Sequence, residues 1–539
     1  MAQKLNLFEP KLAFTEFGKQ LVLLKKADQQ QISYLKNLLD TFALSTGLKV
    51  NFSKSSMIPI NVSAENLASL AATFGCQIAS LPFTYLGLPM GTTKPRMEDL
   101  TPLMDRVERR HIACSAFLSF SGRLQMINSV LTPTVTYAMC SLKLPVAVIE
   151  NIDRARKQCL WRGNVATKKG GNLAAWSIVQ MPKEKGGLWV LNLRLHNDAL
   201  LLKQLHKFYS HQNVPWVHLI WHRYYINKVP HVATPVGSFW WKDILKLSVL
   251  YRGIALCTVG DGASVSFWDD LWAGEVLSSK FSCLYSFAAN TGISVKQIML
   301  SEDLDSIFNL PLSQVAHDQL LDLHPFIQSV SYDPERKNVW TFIWGNATYS
   351  SRKYYKMVFQ NYHPSPIFKK IWKSKCTPRL KFFAWLLFVD RLNTRNMLVR
   401  RHFHVQPNSF CVLCTTNTHE DLDHLFFNYP FAAACWQRLD FQWASIQNIS
   451  ERVLNLMVTT GIPFFMEIFI FAAWELWKLR NSKIFDQGRP TVSLWFRNFK
   501  SQVLLQLVRV RGSASMYHSM ARVAIAYYCF VYSLSPSAL

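Results

Sequence analysis

The longest apolar stretches of this sequence stop short of what a membrane requires, and that limit decides how the chain must bury itself. Ile462 to Trp477 is broken by Glu467 and Glu475, and Val523 to Leu534 is too short to cross roughly 30 Å of hydrocarbon. Half of the 539 residues are nonetheless hydrophobic, against 17% charged, so enough apolar surface exists to offset the ordering entropy that leaves polar chains disordered. These side chains are expected to fold into several protein cores, about three or four at roughly 150 residues each. No membrane span is expected. The opening Met1-Ala2-Gln3-Lys4 leads into a mixed segment without the apolar run of a secretory leader. Eleven Cys scattered over this length do not resemble a disulfide framework, so an intracellular protein, nuclear or cytoplasmic, is expected.

Charge points to a partner. Lys and Arg number 59 against 34 Asp and Glu, a formal net charge of +25. Such a balance attracts polyanions, RNA or DNA first and anionic membrane second.

Ile32, Leu35, Leu38, Leu39 and Phe42 recur at helical spacing, and Gly47 is placed to end that helix. Leu48 to Phe52 alternates like a short strand, and Phe83 to Gly87 is a second strand candidate closed by Leu88-Pro89-Met90-Gly91. Two helical stretches lie between Glu98 and Met139, separated by Ser119 to Gly122. The middle of the chain, about 210–360, is rich in Trp and has no clean helical period. There Val259 to Trp268 reads as a turn entering a strand, and Asp269-Asp270 reads as a turn after it rather than a metal-binding pair. After Pro378 an apolar helix to Phe388 precedes a basic one with Arg391, Arg395, Arg400 and Arg401.

From Pro145 to Arg194 the chain is markedly basic. Arg154, Arg156, Lys157, Arg162, Lys168 and Lys169 are candidate phosphate contacts, and Trp161, Trp176 and Trp189 are interleaved with them. Aromatic faces stack on unpaired bases at roughly 1–3 kcal/mol each, although the same Trp residues read equally well as core. Lys168-Lys169-Gly170-Gly171 and Lys185-Gly186-Gly187 are predicted as exposed turns.

The most specific constellation is Cys411-Val412-Leu413-Cys414 followed by His419 and His424. Zinc takes four thiolate or imidazole ligands in a tetrahedron, and a Cys-x-x-Cys turn presents two from one side. The competing reading is a pair of small buried Cys beside surface His.

Together these stretches resemble the C-terminal part of plant LINE-type (non-LTR) retrotransposon reverse transcriptases. The residues that carry the resemblance run in order from Gly47 to Ser55 and from Tyr85 to Gly91. Leu118 to Leu124, Trp189 to Leu193, Gly260-Asp261-Gly262 and Phe382 to Trp385 follow. Arg391 to Thr394, His424 to Phe427 and Trp477 to Asn481 complete the series, which covers about residues 17–490. The resemblance implies an α+β palm remnant at 1–95, then a mainly α, multi-domain chain. Its parts would be a thumb-like block at 96–145, a basic Trp-rich connection at 146–339, a zinc-binding segment at 340–440 and a helical tail at 441–539.

The family copies RNA into DNA with two metal ions held by carboxylates. Here the family's Tyr-Ala-Asp-Asp falls on Phe17-Gly18-Lys19-Gln20, so an ammonium and an amide stand where the metal-binding acids belong. Only sixteen residues precede Phe17, too few for the first palm carboxylate. No Mg2+ site is expected, and the chain is read as a truncated, catalytically inactive reverse-transcriptase relative that still binds nucleic acid. The family's zinc ligands map onto Cys411, Cys414 and His424, but Tyr429 holds the fourth position, leaving His419, Cys435 or water to complete a weakened Zn2+ site. Two alternatives stay open: a zinc-dependent interaction module on an inert scaffold, and a pseudogene-like product with no retained role.

Overall fold

In the computed structural model, residues 28–509 are described apart from 49, 61, 115–116, 164–170, 227, 231–234, 302, 407 and 415–416. The described chain is mostly helical, with three two-stranded sheets. As expected, two of the sheets fall in the N-terminal segment and helices dominate the rest. The chain folds into two compact units, each assembled from separated stretches. One comprises 1–106, 137–150 and 200–349; the other comprises 107–136, 151–199 and 350–539.

In the first unit, the helix Gln29–Thr46 is capped by Asp28, whose carboxylate accepts from the Gln31 N–H at 2.9 Å. It ends at Gly47 with φ +73°, the left-handed conformation that a Cβ disfavours. Ile32 and Leu35 are buried against Leu67 and Leu70 of the helix Ala64–Phe74, whereas Leu38 and Phe42 are exposed, so the apolar stripe is used only over its first turns.

Among the described residues from Leu48 to Phe52, the expected strand does not form. The backbone turns into a 3-10 helix at Phe52–Lys54, and the pairing strand is Ser56–Met57, parallel to Gln77–Ile78. Phe83–Tyr85 is a strand as predicted, and its closing residues Leu88–Met90 are its antiparallel partner across Leu86 and Gly87, both at positive φ.

Rings organise the Trp-rich middle where periodicity fails. Phe208 and Trp221 stack with centroids 4.3 Å apart, and Trp241 donates through its indole N–H to the Tyr225 hydroxyl at 2.9 Å. Trp340 donates to the Tyr209 carbonyl at 3.1 Å. The Gly260-Asp261-Gly262 turn is clasped by Asn338, whose Oδ1 accepts from both glycine N–H groups at 2.9 and 3.0 Å. No strand follows it: Ser266 makes one isolated bridge with Ser294. Asp269 and Asp270 pair with Arg252 at 3.3 and 2.8 Å, which answers their charge internally and agrees with the non-metal reading.

His206 is tucked edge-on against Phe342 and lies 3.4 Å from the Tyr251 hydroxyl. Burial first, and the charge of Lys203 second, hold its pKa down at about 4. The folded state therefore favours neutral His206. Its contribution is complete above the ordinary imidazole pKa near 6.5 and is lost as pH falls toward about 4. Thermal unfolding followed across that window should show a falling midpoint, and His206→Gln should flatten the slope; an identical slope would contradict the assignment.

In the second unit, the helix Pro378–Phe388 is buried over most of its surface, from Leu380 to Leu387. Phe382 stacks on Phe120 at 5.4 Å and meets Trp161, which is core rather than a base platform. Trp385 donates to the Gly186 carbonyl at 2.8 Å. The Lys185-Gly186-Gly187 turn is accordingly not exposed: Gly186 is buried facing the Phe368 ring and Gly187 against the backbone of Met181 and Ile178. A Cβ on Gly187 would sit 2.0 Å from the Met181 carbonyl oxygen, so only glycine fits. The helix Phe465–Phe485 is buried with Glu467 and Glu475 inside it. No helix among the described residues is long and apolar enough to cross a membrane.

Candidate metal centre and basic surface

Cys411 opens a tight hairpin. Its N–H donates to the Thr418 carbonyl at 2.8 Å, and an antiparallel bridge joins Phe410 to His419. Within the turn the Leu413 N–H points at Cys411 Sγ at 3.4 Å, a contact that favours thiolate. His424 begins a π-helical turn, His424–Asn428, started by the Asp421 carboxylate accepting from the His424 N–H at 2.8 Å. The widened turn aims the imidazole at the hairpin, placing His424 Nε2 3.4 Å from Cys414 Sγ.

The ligand atoms of Cys411, Cys414 and His424 all lie within 4.8 Å of one another. Zinc–sulfur bonds of about 2.3 Å and zinc–nitrogen bonds of about 2.0–2.1 Å separate tetrahedral ligand atoms by roughly 3.4–3.8 Å, the spacing at which Cys414 Sγ and His424 Nε2 stand. Burial pushes the Cys411 thiol up to about 12. A metal bound here would have to displace that proton, and it would act as a structural clasp between hairpin and helix.

The structure does not bring His419 into this group. Its Nδ1 lies 2.5 Å from the Ser409 hydroxyl and its ring packs on Phe410 at 5.1 Å, so the sequence assignment of His419 as fourth ligand is corrected. Tyr429 donates its hydroxyl to the Leu413 carbonyl, packing beside the cluster where a family thiol would stand. Its hydroxyl and the Cys435 thiol are each pushed up to about 12 by burial. Cys435 is buried and outside the gathered set.

Glu420 is the support that residue spacing did not reveal. It is fully buried, and its carboxylate accepts from Arg480 Nη2 at 2.5 Å and from the Arg395 backbone N–H at 2.9 Å. The hairpin is thereby tied to the helices Arg395–Arg400 and Phe465–Phe485. Arg395 is itself buried, donating to the carbonyls of Gln406 and Asn408. Asp423 pairs with Arg452 at 2.6 Å, fixing the start of the π turn from the opposite side.

The predicted phosphate contacts divide. Arg154 and Arg162 are exposed, and Lys157 is half-buried with its ammonium 5.8 Å from the Trp176 ring. Arg156 is corrected: it is fully buried, paired with Asp153 at 2.6 Å and donating to the Leu191 carbonyl at 2.8 Å, so no phosphate can reach it. Lys168 and Lys169, like Lys19 and Gln20, lie outside the described residues.

Residues 349–436 match the family described as zinc-binding in reverse transcriptase, and the three gathered ligands lie inside that match. Within that segment the chain is similar to reverse transcriptases. A "Putative ribonuclease H protein" of Arabidopsis thaliana is 25% identical over 390 residues, covering 69% of this chain and 62% of the relative. The matched part thus spans less than two thirds of that protein. An "Uncharacterized mitochondrial protein" of the same plant is 29% identical over 144 residues, covering 25% of this chain and 90% of the relative.

Proposed function

We propose that this chain is a LINE-type (non-LTR) retrotransposon reverse-transcriptase derivative of plant type that binds nucleic acid without polymerising it, its zinc-binding segment held by one Zn2+. The observation that carries the reading is the gathered Cys411, Cys414 and His424 inside a segment matching the zinc-binding part of reverse transcriptases. The net charge of +25 and the exposed Arg154 and Arg162 supply the attraction to phosphate. Loss of polymerisation rests on the sequence: Lys19 repels a divalent cation and Gln20 cannot replace a carboxylate. An intracellular location, nuclear or cytoplasmic, goes with a nucleic-acid partner.

Affinity for a single-stranded oligonucleotide should fall steeply with salt, roughly 300-fold between 50 and 200 mM for six phosphate contacts at a slope of about 0.7 each. A flat salt profile would remove the polyanion surface. Primer extension with Mg2+ or Mn2+ should yield no product, and template-directed synthesis would overturn the inactive reading. RNA cleavage by the purified chain would replace binding with hydrolysis, the activity named for the first relative.

A further inference from the structure

Within the second unit, residues 172–175 together with Arg391, Met397, Arg400 and Arg401 line an open cleft of about 340 Å3. Cavities of roughly 300–1,000 Å3 accept ligands larger than a single ion. Three guanidiniums converge here, and their charges are unevenly answered. Arg400 pairs with Asp390 at 2.7 Å. Arg391 donates to the Asp390 carbonyl at 2.8 Å, and Arg401 donates to Asn393 Oδ1 at 3.0 Å and to the carbonyls of Gly171 and Asn172 at 3.0 and 3.4 Å. Among the described residues, the oxygens these two cations meet are neutral, and Arg401 also lies over the Phe403 ring at 5.3 Å. Partial burial first, and the charge of Arg391 second, hold Arg401 below its ordinary pKa.

We propose that this cleft seats the phosphodiester backbone of a single-stranded nucleic acid, with phosphates bridging Arg391 and Arg401. A phosphate oxygen pair matches the guanidinium fork and converts the repulsion of the two cations into attraction for one anion. The cleft wall runs at Ala175 directly into Trp176, a half-buried ring over which Arg156 and Lys157 stand at 5.6 and 5.8 Å, so the half-buried Lys157 adds a cation next to the cleft. This inference rests on the nucleic-acid reading above and assigns it a place.

The test measures salt dependence of binding by the full chain to one labelled single-stranded RNA and to DNA of the same sequence. The double variant Arg391→Gln/Arg401→Gln should lower the slope of log affinity against log salt by roughly 1.4, two contacts at about 0.7 each for single strands. Arg401→Lys should keep the slope. Because Arg401 also braces the 171–172 backbone, the unaltered chain is cross-linked to a 4-thiouridine oligonucleotide in parallel, and labelled peptides should map to 171–176 or 391–401. Native binding with an unchanged slope in the double variant and labels elsewhere overturns the cleft and leaves the function reading intact. Binding of inorganic phosphate with no oligonucleotide binding makes this a free-anion site and overturns both, as does no binding at all.

Discussion

Stripping the metal with a chelator, or replacing Cys411 by Ser, is expected to cause the largest loss of stability of any local change in this chain. Where zinc alone folds a peptide its apparent binding free energy is about 10–16 kcal/mol. The loss here should be smaller, on the order of several kcal/mol, because Phe426, Phe427 and Trp436 also bury themselves in the segment. Purified chain should carry one zinc, and Cys411→Ser, Cys414→Ser and His424→Ala should each lose it together with a large part of the melting temperature. Tyr429→Cys should tighten binding, since it supplies a thiol as fourth ligand from a position beside the cluster while giving up only the hydroxyl's bond to the Leu413 carbonyl. Native chain that carries no zinc after purification in its presence, or that melts no higher with zinc than Cys411→Ser does, would dispose of the clasp.

The second large effect is predicted at Glu420. Removing one partner of a buried ion pair typically costs about 3–5 kcal/mol, because the other charge is left without an answer. Glu420→Ala would strand the buried Arg480 and free the Arg395 N–H. Arg480→Met should cost a comparable amount. In a double-mutant cycle, Glu420→Leu/Arg480→Leu should cost clearly less than the sum of the single changes, because no charge then remains buried. Additive losses, or single losses below about 1 kcal/mol, would show that the pair does not carry the junction.

Local chemistry was legible where one residue type does one job. Gly47 ends its helix because the left-handed cap excludes Cβ, and Cys411 and Cys414 stand together because two residues between them make a turn. Burial was harder to read. Arg156 belongs to a basic run on paper, yet its neighbour Asp153 and the distant Leu191 carbonyl make an interior site for it. The Gly186-Gly187 turn looks solvent-facing until Trp385, some two hundred residues later, closes over it. His419 has metal spacing, but hairpin pairing between Phe410 and His419 aims its ring at Phe410 and Ser409. The Trp-rich middle defeated periodicity because ring stacking and indole hydrogen bonds hold its short helices, and neither leaves a repeat. Glu420 and the Arg391–Arg401 cleft depend on contacts between distant stretches, which spacing cannot encode.

The second unit draws on stretches 107–136, 151–199 and 350–539, so Phe120 and Gly186 meet Phe382 and Trp385 only once the last stretch has been made. On a ribosome adding roughly 5–20 residues per second, about 10–40 s separate the emergence of residue 136 from that of residue 350. During that interval newly made aromatic surface stands open, a window in which a nascent chain of this design calls for chaperone cover.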